Sequence, residues 1–131
     1  MPTEFVMLAL LILLALVNIL WAGAARTRQY GPEWNMGARD EQVPPLHPFP
    51  ARLLRAQANL FETLPLFVAA LLGAAAVGHL GPLTHWGSIV YVVGRIVYLP
   101  LYAAGIPKIR TLVFSISLVG LVMTWWALLF G

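Results

Sequence analysis

Four polar residues recur at helical spacing inside a strongly apolar part of the 131-residue chain: Arg52, Arg55, Asn59 and Glu62. Their steps of three, four and three residues place all four side chains within an arc of about 80° on one helix face. Guanidinium groups bind carboxylates through forked hydrogen bonds. A carboxylate, in turn, binds an ammonium group. The stripe could therefore recognise a small zwitterion that carries excess negative charge.

A second polar group follows in the next apolar segment, where Arg95, Tyr98 and Tyr102 are spaced three and four residues apart and share a helix face. If the apolar segments run back and forth, the end of the first and the start of the fourth lie at the same depth as these side chains. The polar residues there are Arg26, Arg28, Arg110 and Thr111. Charged side chains in apolar segments are costly and usually mark function or buried pairing. We therefore predict a polar pocket built from four separate segments.

The elements that must position these residues are membrane helices. The chain is 60% hydrophobic and only 10% charged, which excludes an ordinary soluble enzyme, a coiled coil and a disordered regulator. Four apolar segments, at residues 5–25, 51–78, 82–104 and 110–130, are each long enough to cross a hydrocarbon core of roughly 30 Å. We predict an all-α fold, a four-helix transmembrane bundle that forms one domain over residues 1–131.

The connection at residues 26–50 is polar and rich in proline, which predicts extended and turned backbone. A signal peptide is the alternative interpretation of the first apolar segment. Glu4, rather than a basic residue, precedes that segment, and the segment is long for a signal peptide. These features favour a membrane anchor.

Basic residues predict the orientation in the membrane. The two connections on one side of the bundle, with the adjoining helix ends, contain Arg26, Arg28, Arg39, Arg52, Lys108 and Arg110. The other side contains Glu4, His79 and His85 and no lysine or arginine. The positive-inside rule places the basic connections in the cytosol and both termini outside it. Because topology explains the net charge of +3, we expect no nucleic-acid partner.

A structural role is the alternative for each polar residue. Glu62 could neutralise Arg55 or Arg95 as a buried ion pair. Asn59 could form a hydrogen bond between helices, and Tyr98 and Tyr102 could belong to an interfacial aromatic belt. The chain has no cysteine, and its three histidines lack a metal-ligand spacing, so we expect no metal.

The segment Arg55-Ala-Gln-Ala-Asn59-Leu-Phe-Glu62-Thr-Leu-Pro65-Leu-Phe67 resembles the signature of the membrane-associated proteins in eicosanoid and glutathione metabolism (MAPEG). Arg95, Tyr98, Tyr102 and Arg110 are similar to the second polar cluster of that family. The loop that starts at Trp34 resembles that of its short bacterial members. The resemblance covers essentially the whole chain.

The resemblance implies a homotrimer with glutathione sites between subunits, near the cytosolic face of a bacterial inner membrane. It implies a set of glutathione-binding residues, namely Arg26, Arg55, Gln57, Asn59, Glu62, Arg95, Tyr98 and Tyr102. Arg28 is an equal candidate for the position that Arg26 takes in that set. Arg110 and Thr111 match residues near the reacting sulfur, and both are expected to act in catalysis.

Two functions follow as expectations. The first is a glutathione-dependent transferase that joins the thiolate to lipophilic electrophiles and could also reduce lipid hydroperoxides. The alternative is a non-catalytic protein of the same fold that binds lipid or docks a partner. A channel is disfavoured because the charged residues are confined to one half of the membrane. The expected partners are glutathione, a lipophilic electrophile or lipid, and membrane lipids.

Overall fold

The computed structural model describes all 131 residues and contains helices but no strand. The five helices are α1 (Thr3–Tyr30), α2 (Pro32–Met36), α3 (Pro48–Ala76), α4 (Pro82–Ala103) and α5 (Pro107–Phe130). All of these except α2 are long and apolar enough to cross a membrane. The predicted all-α, four-helix transmembrane fold is confirmed, and the chain is an integral, multi-pass membrane protein.

The polar connection differs from its prediction. α1 continues beyond residue 25 to Tyr30, α2 follows, and α3 begins at Pro48. The prediction of extended backbone throughout residues 26–50 is therefore wrong at both ends. Proline starts α2, α3, α4 and α5, because the first amides of a helix have no partner within it and proline has no amide hydrogen to lose. Gly31, with φ of 97°, separates α1 from α2.

Buried polar side chains tie the long helices together. Asn18, the one strongly polar residue of the first apolar segment, donates from Nδ2 to the Leu53 carbonyl at 3.2 Å. The hydroxyls of Thr63 and Tyr91 are 2.7 Å apart, between α3 and α4. Each bond satisfies a polar group that would otherwise be stranded among apolar side chains. α1, α3 and α4 are therefore joined along the bundle.

One end of the bundle collects the basic residues. Arg52, near the start of α3, donates from Nε to the Ala103 carbonyl at the end of α4, at 2.9 Å. Arg110, near the start of α5, lies over the ring of Tyr102 near the end of α4. This end, where α3 and α5 begin and α4 ends, is called the arginine-rich end below. It positions the candidate site.

Glycine allows α4 and α5 to pack closely. A Cβ added to Gly120 of α5 would lie 2.5 Å from the Gly87 carbonyl oxygen and 2.5 Å from the Tyr91 amide nitrogen. Both of these are backbone atoms that cannot rotate away. Small residues at such contacts let membrane helices approach each other.

We predict that Gly120→Ala destabilises the fold by roughly 1–3 kcal/mol, because the added methyl group forces α4 and α5 apart. The measurement is the free energy of unfolding in detergent. Gly23→Ala is the matched control, because a Cβ at Gly23 meets nothing within 4 Å. Equal stability of the two variants would contradict the close packing.

Candidate functional site

Arg95 of α4 lies at the centre of the candidate site. Its side chain is only 2% exposed, although it carries a charge within a membrane helix. Nη1 donates to Oδ1 of Asn59 on α3 at 2.8 Å. The guanidinium carbon lies 4.4 Å from the centre of the Tyr98 ring and 5.6 Å from that of Phe114. A buried arginine is therefore held by an amide and two aromatic faces, all of them neutral.

Two further arginines join this group through tyrosine. The rings of Tyr98 and Tyr102 pack edge to face with centres 5.5 Å apart. Arg55 donates from Nε to the Tyr102 hydroxyl at 3.3 Å. The Arg110 guanidinium lies 4.4 Å from the centre of the same ring. Six of the side chains that these contacts connect carry a polar group and are here called the arginine–tyrosine cluster: Arg55, Asn59, Arg95, Tyr98, Tyr102 and Arg110.

The cluster carries three guanidinium groups, and the hydrogen bonds within it use neutral acceptors. Arg55 and Arg95 donate to Tyr102 and Asn59 rather than to Glu62, which is exposed on the same stripe of α3. In the single chain, Glu62 is therefore not the hydrogen-bond partner of either arginine. Arg95 Nε is buried and has no acceptor. The space lined by Arg95 is only about 10 Å³, which suits a single water rather than a carboxylate.

The burial of Tyr98 and Tyr102 argues against a place in an aromatic belt at the membrane interface. Tyr98 is only 5% exposed and Tyr102 is half-buried, so both face the cluster rather than the membrane surface. Arg52, the first residue of the predicted stripe, instead holds the carbonyl at the end of α4. That bond has a structural role, because it satisfies a helix-terminal carbonyl that has no partner in its own helix.

Besides Glu62, three residues predicted for the site lie outside the cluster's contacts. Gln57 is half-buried on another face of α3. Thr111 is exposed, and its hydroxyl donates to the Pro107 carbonyl of its own helix at 3.2 Å. Arg26 of α1 lies beside Trp34 of α2, 5.6 Å from the ring centre. A single chain thus assembles the groups of α3, α4 and α5, and it leaves Arg26 apart.

The surroundings of Arg26 could not be predicted from the sequence. The guanidinium carbon of Arg39 lies 4.9 Å from the centre of the Trp34 ring, and the ring centres of Tyr30 and Trp34 are 4.7 Å apart. Only the loop path brings these residues together, and no periodic pattern marks it. For metals, no group of three or more histidine, aspartate or glutamate residues is close enough to hold an ion.

The profile of the MAPEG family matches residues 5–130, nearly the whole chain. The chain belongs to the MAPEG family. Comparisons with curated proteins and with solved structures gave no significant match. In this MAPEG protein, two of the signature residues, Arg55 and Asn59, belong to the arginine–tyrosine cluster, and Glu62 lies exposed on the same helix.

We predict that Asn59→Leu destabilises the protein by about 1.5–3 kcal/mol, because it removes the acceptor of a buried guanidinium. Gln57→Leu, on the same helix, should change stability by no more than about 0.5 kcal/mol. Denaturant unfolding in detergent compares the two variants. Similar losses of stability in the two variants would show that the Arg95–Asn59 bond makes no specific contribution to the free energy of unfolding.

Proposed function

We propose that the protein is a membrane-bound, glutathione-dependent transferase that conjugates the glutathione thiolate to lipophilic electrophiles. The observation that carries the proposal is a cluster of three arginines without a bonded carboxylate, in which Arg55 is exposed and Arg110 is half-buried. Membership of a glutathione-associated family gives the anion its identity.

The donor set fits glutathione, which carries two carboxylates, one ammonium group and one thiol. The exposed Arg55 supplies a guanidinium group for a carboxylate, and the buried Arg95 adds positive charge to the same cluster. The exposed carboxylate of Glu62 suits the ammonium group. Asn59, Tyr98 and Tyr102 hold the arginines in place.

Arg110 is proposed to stabilise the sulfur as a thiolate. A free thiol has a pKa of about 8.5, and a nearby guanidinium lowers it by favouring the charged form. Arg110 is half-buried and lies against Tyr102, so water screens its charge less than that of an exposed arginine. Thr111 follows it in sequence, and its hydroxyl could donate to the sulfur after leaving the Pro107 carbonyl.

The reaction needs no enzyme-linked intermediate. The thiol loses its proton to water, and the thiolate attacks an electrophilic carbon. A carbon–sulfur bond forms while a leaving group departs with its electron pair, or while an activated double bond takes up a proton. With a lipid hydroperoxide, two glutathione molecules would be oxidised to the disulfide as the oxygen–oxygen bond breaks to give an alcohol and water.

A homotrimer with sites between neighbouring copies forms part of the proposal. Arg26 lies outside the cluster in one chain, while Arg55 and Glu62 are exposed. A neighbouring copy could bring its Arg26 to them. With the arginine-rich end in the cytosol of a bacterium, glutathione would enter from the cytosol and the electrophile from the bilayer of the inner membrane.

A lipid-binding protein without catalysis is the second candidate function. Its support is a groove of about 420 Å³ between α3 and α5. Its lining is entirely apolar: Leu66, Ala69, Ala70, Leu121, Val122, Trp125 and Leu128. Such a groove suits an acyl chain and offers nothing to a charged tripeptide.

Calorimetric titration of glutathione into the detergent-solubilised protein tests binding. We predict saturable binding that Arg55→Ala weakens by at least about tenfold, the effect of a lost charged hydrogen bond. Lys108→Ala, which removes an exposed charge near the start of α5, is the control and should bind normally. No binding up to millimolar glutathione by an intact, oligomeric protein would favour the lipid-binding function.

The effect of Arg110 on the thiol can be measured separately from the affinity for glutathione. We predict that Arg110→Gln raises the pKa of the bound thiol by about one unit, which lowers the thiolate fraction near neutral pH up to about tenfold. The ultraviolet absorbance of the thiolate, followed against pH, measures this change. Thr111→Val should have a smaller effect. An unchanged thiolate titration in Arg110→Gln would remove Arg110 from the catalytic role.

A further inference from the structure

Trp34 on α2 makes the aromatic contact of Arg26. The Arg26 guanidinium carbon lies 5.6 Å from the centre of the Trp34 ring, within the range of a cation–π interaction. Arg39 lies over the same ring at 4.9 Å, and the Tyr30 ring packs against it at 4.7 Å. The end of α1 and the short helix α2 therefore meet at one indole.

The loop after α2 is fixed to the end of α1. The Tyr30 hydroxyl donates to the Pro44 carbonyl at 2.7 Å, and Gln29 donates from Nε2 to the Pro45 carbonyl at 3.0 Å. Gln29 also accepts from the His47 amide at 2.7 Å. These bonds return the chain along α1, so α2 and Trp34 are held from both sides.

Two donors at this contact have no acceptor. Arg26 Nε and Trp34 Nε1 are both buried and unpartnered, which is rare for buried N–H groups. Arg26 and Arg28 both line a groove of about 760 Å³ beside the end of α1, together with Gly23, Thr27 and Asn35. Arg26 thus contacts the indole and also lines a space large enough for a peptide-sized ligand.

We propose that Trp34 is a positioning residue that holds the Arg26 guanidinium ready to bind a carboxylate of glutathione, a role that rests on the proposed function. A free arginine side chain loses rotamer entropy when it binds a ligand, and a stacked one has already lost much of it. The same contact selects Arg26 over Arg28, because Arg28 is exposed and lacks an aromatic partner.

The test compares Trp34→Leu with Trp34→Phe by calorimetric titration of glutathione into the detergent-solubilised protein. Leucine removes the aromatic face and should weaken binding about three- to fivefold, the effect of one cation–π contact. Phenylalanine keeps a ring face and should bind nearly as tightly as the parent protein. With chlorodinitrobenzene as the electrophile, Trp34→Leu should raise KM for glutathione and leave kcat unchanged, since Arg110 is untouched.

A double-mutant cycle with Arg26→Gln separates positioning from a general role in folding. If Trp34 acts through Arg26, Trp34→Leu costs no further affinity once Arg26 is glutamine. An undiminished loss in the Arg26→Gln background, or an equal loss in Trp34→Phe, would overturn the proposal. Failure of the proposed function looks different, because the parent protein would then not bind glutathione, or Arg55→Ala would bind as well as the parent.

Arg26→Lys tests the same contact if Trp34→Leu does not assemble. Lysine keeps the charge and can still lie over an aromatic ring, but it lacks the planar group that stacks on the indole and binds a carboxylate through two bonds. Arg26→Lys should therefore weaken glutathione binding about three- to fivefold, because the stacked and forked geometry is lost. Full affinity in this variant would contradict the positioning role.

Discussion

The bond from Arg95 to Asn59 is the constraint on which the site depends. Arg95 brings a charge into a membrane helix, and an isolated charge there is expensive. Removing the partner of such a charge costs more than the pair gains by forming, so the acceptor must stay in place. Asn59 fixes α3 against α4 at this depth, and Phe114 brings α5 to the same guanidinium. The Tyr98 ring packs on the same guanidinium and carries the contact on to Tyr102, where Arg55 and Arg110 join.

Polar groups at the two ends of the bundle are satisfied in different ways. Away from the arginines, Thr84 donates to the buried Glu4 carboxylate at 2.8 Å, and His79 Nδ1 lies 3.0 Å from the Ala127 carbonyl. Those groups find their partners within the chain and act as ties between helices. At the arginine-rich end, Arg26 Nε and Arg95 Nε have none. These buried N–H groups are exceptions to the pairing found at the opposite end.

Helical spacing made much of this site predictable. Steps of three and four residues place Arg55 and Asn59 on one face of α3, and Arg95, Tyr98 and Tyr102 on one face of α4. Alternating membrane crossings then bring both faces to one depth. Spacing alone could not predict that Arg52 has a different role from Arg55. Arg52 belongs to the same stripe but binds the carbonyl that ends α4. Hydrogen-bond partners depend on where a neighbouring helix ends, and periodicity does not encode that.

The connection between α1 and α3 was the least predictable part of the chain. Its prolines indicated turns, yet Pro32 and Pro48 begin helices, because a first-turn proline gives up no hydrogen bond. The contact of Arg26 with Trp34 depends on hydrogen bonds of Gln29 and Tyr30 to a returning loop. The spacing of residues in the sequence does not predict the path of such a loop.

The most direct test of the central claim is an experimental structure of the purified protein with glutathione bound. We expect a carboxylate of the tripeptide within hydrogen-bond distance of the exposed Arg55 guanidinium. The sulfur should lie beside Arg110, which packs on the Tyr102 ring. Glutathione bound away from the arginine–tyrosine cluster would contradict the assignment of this cluster as the thiol site.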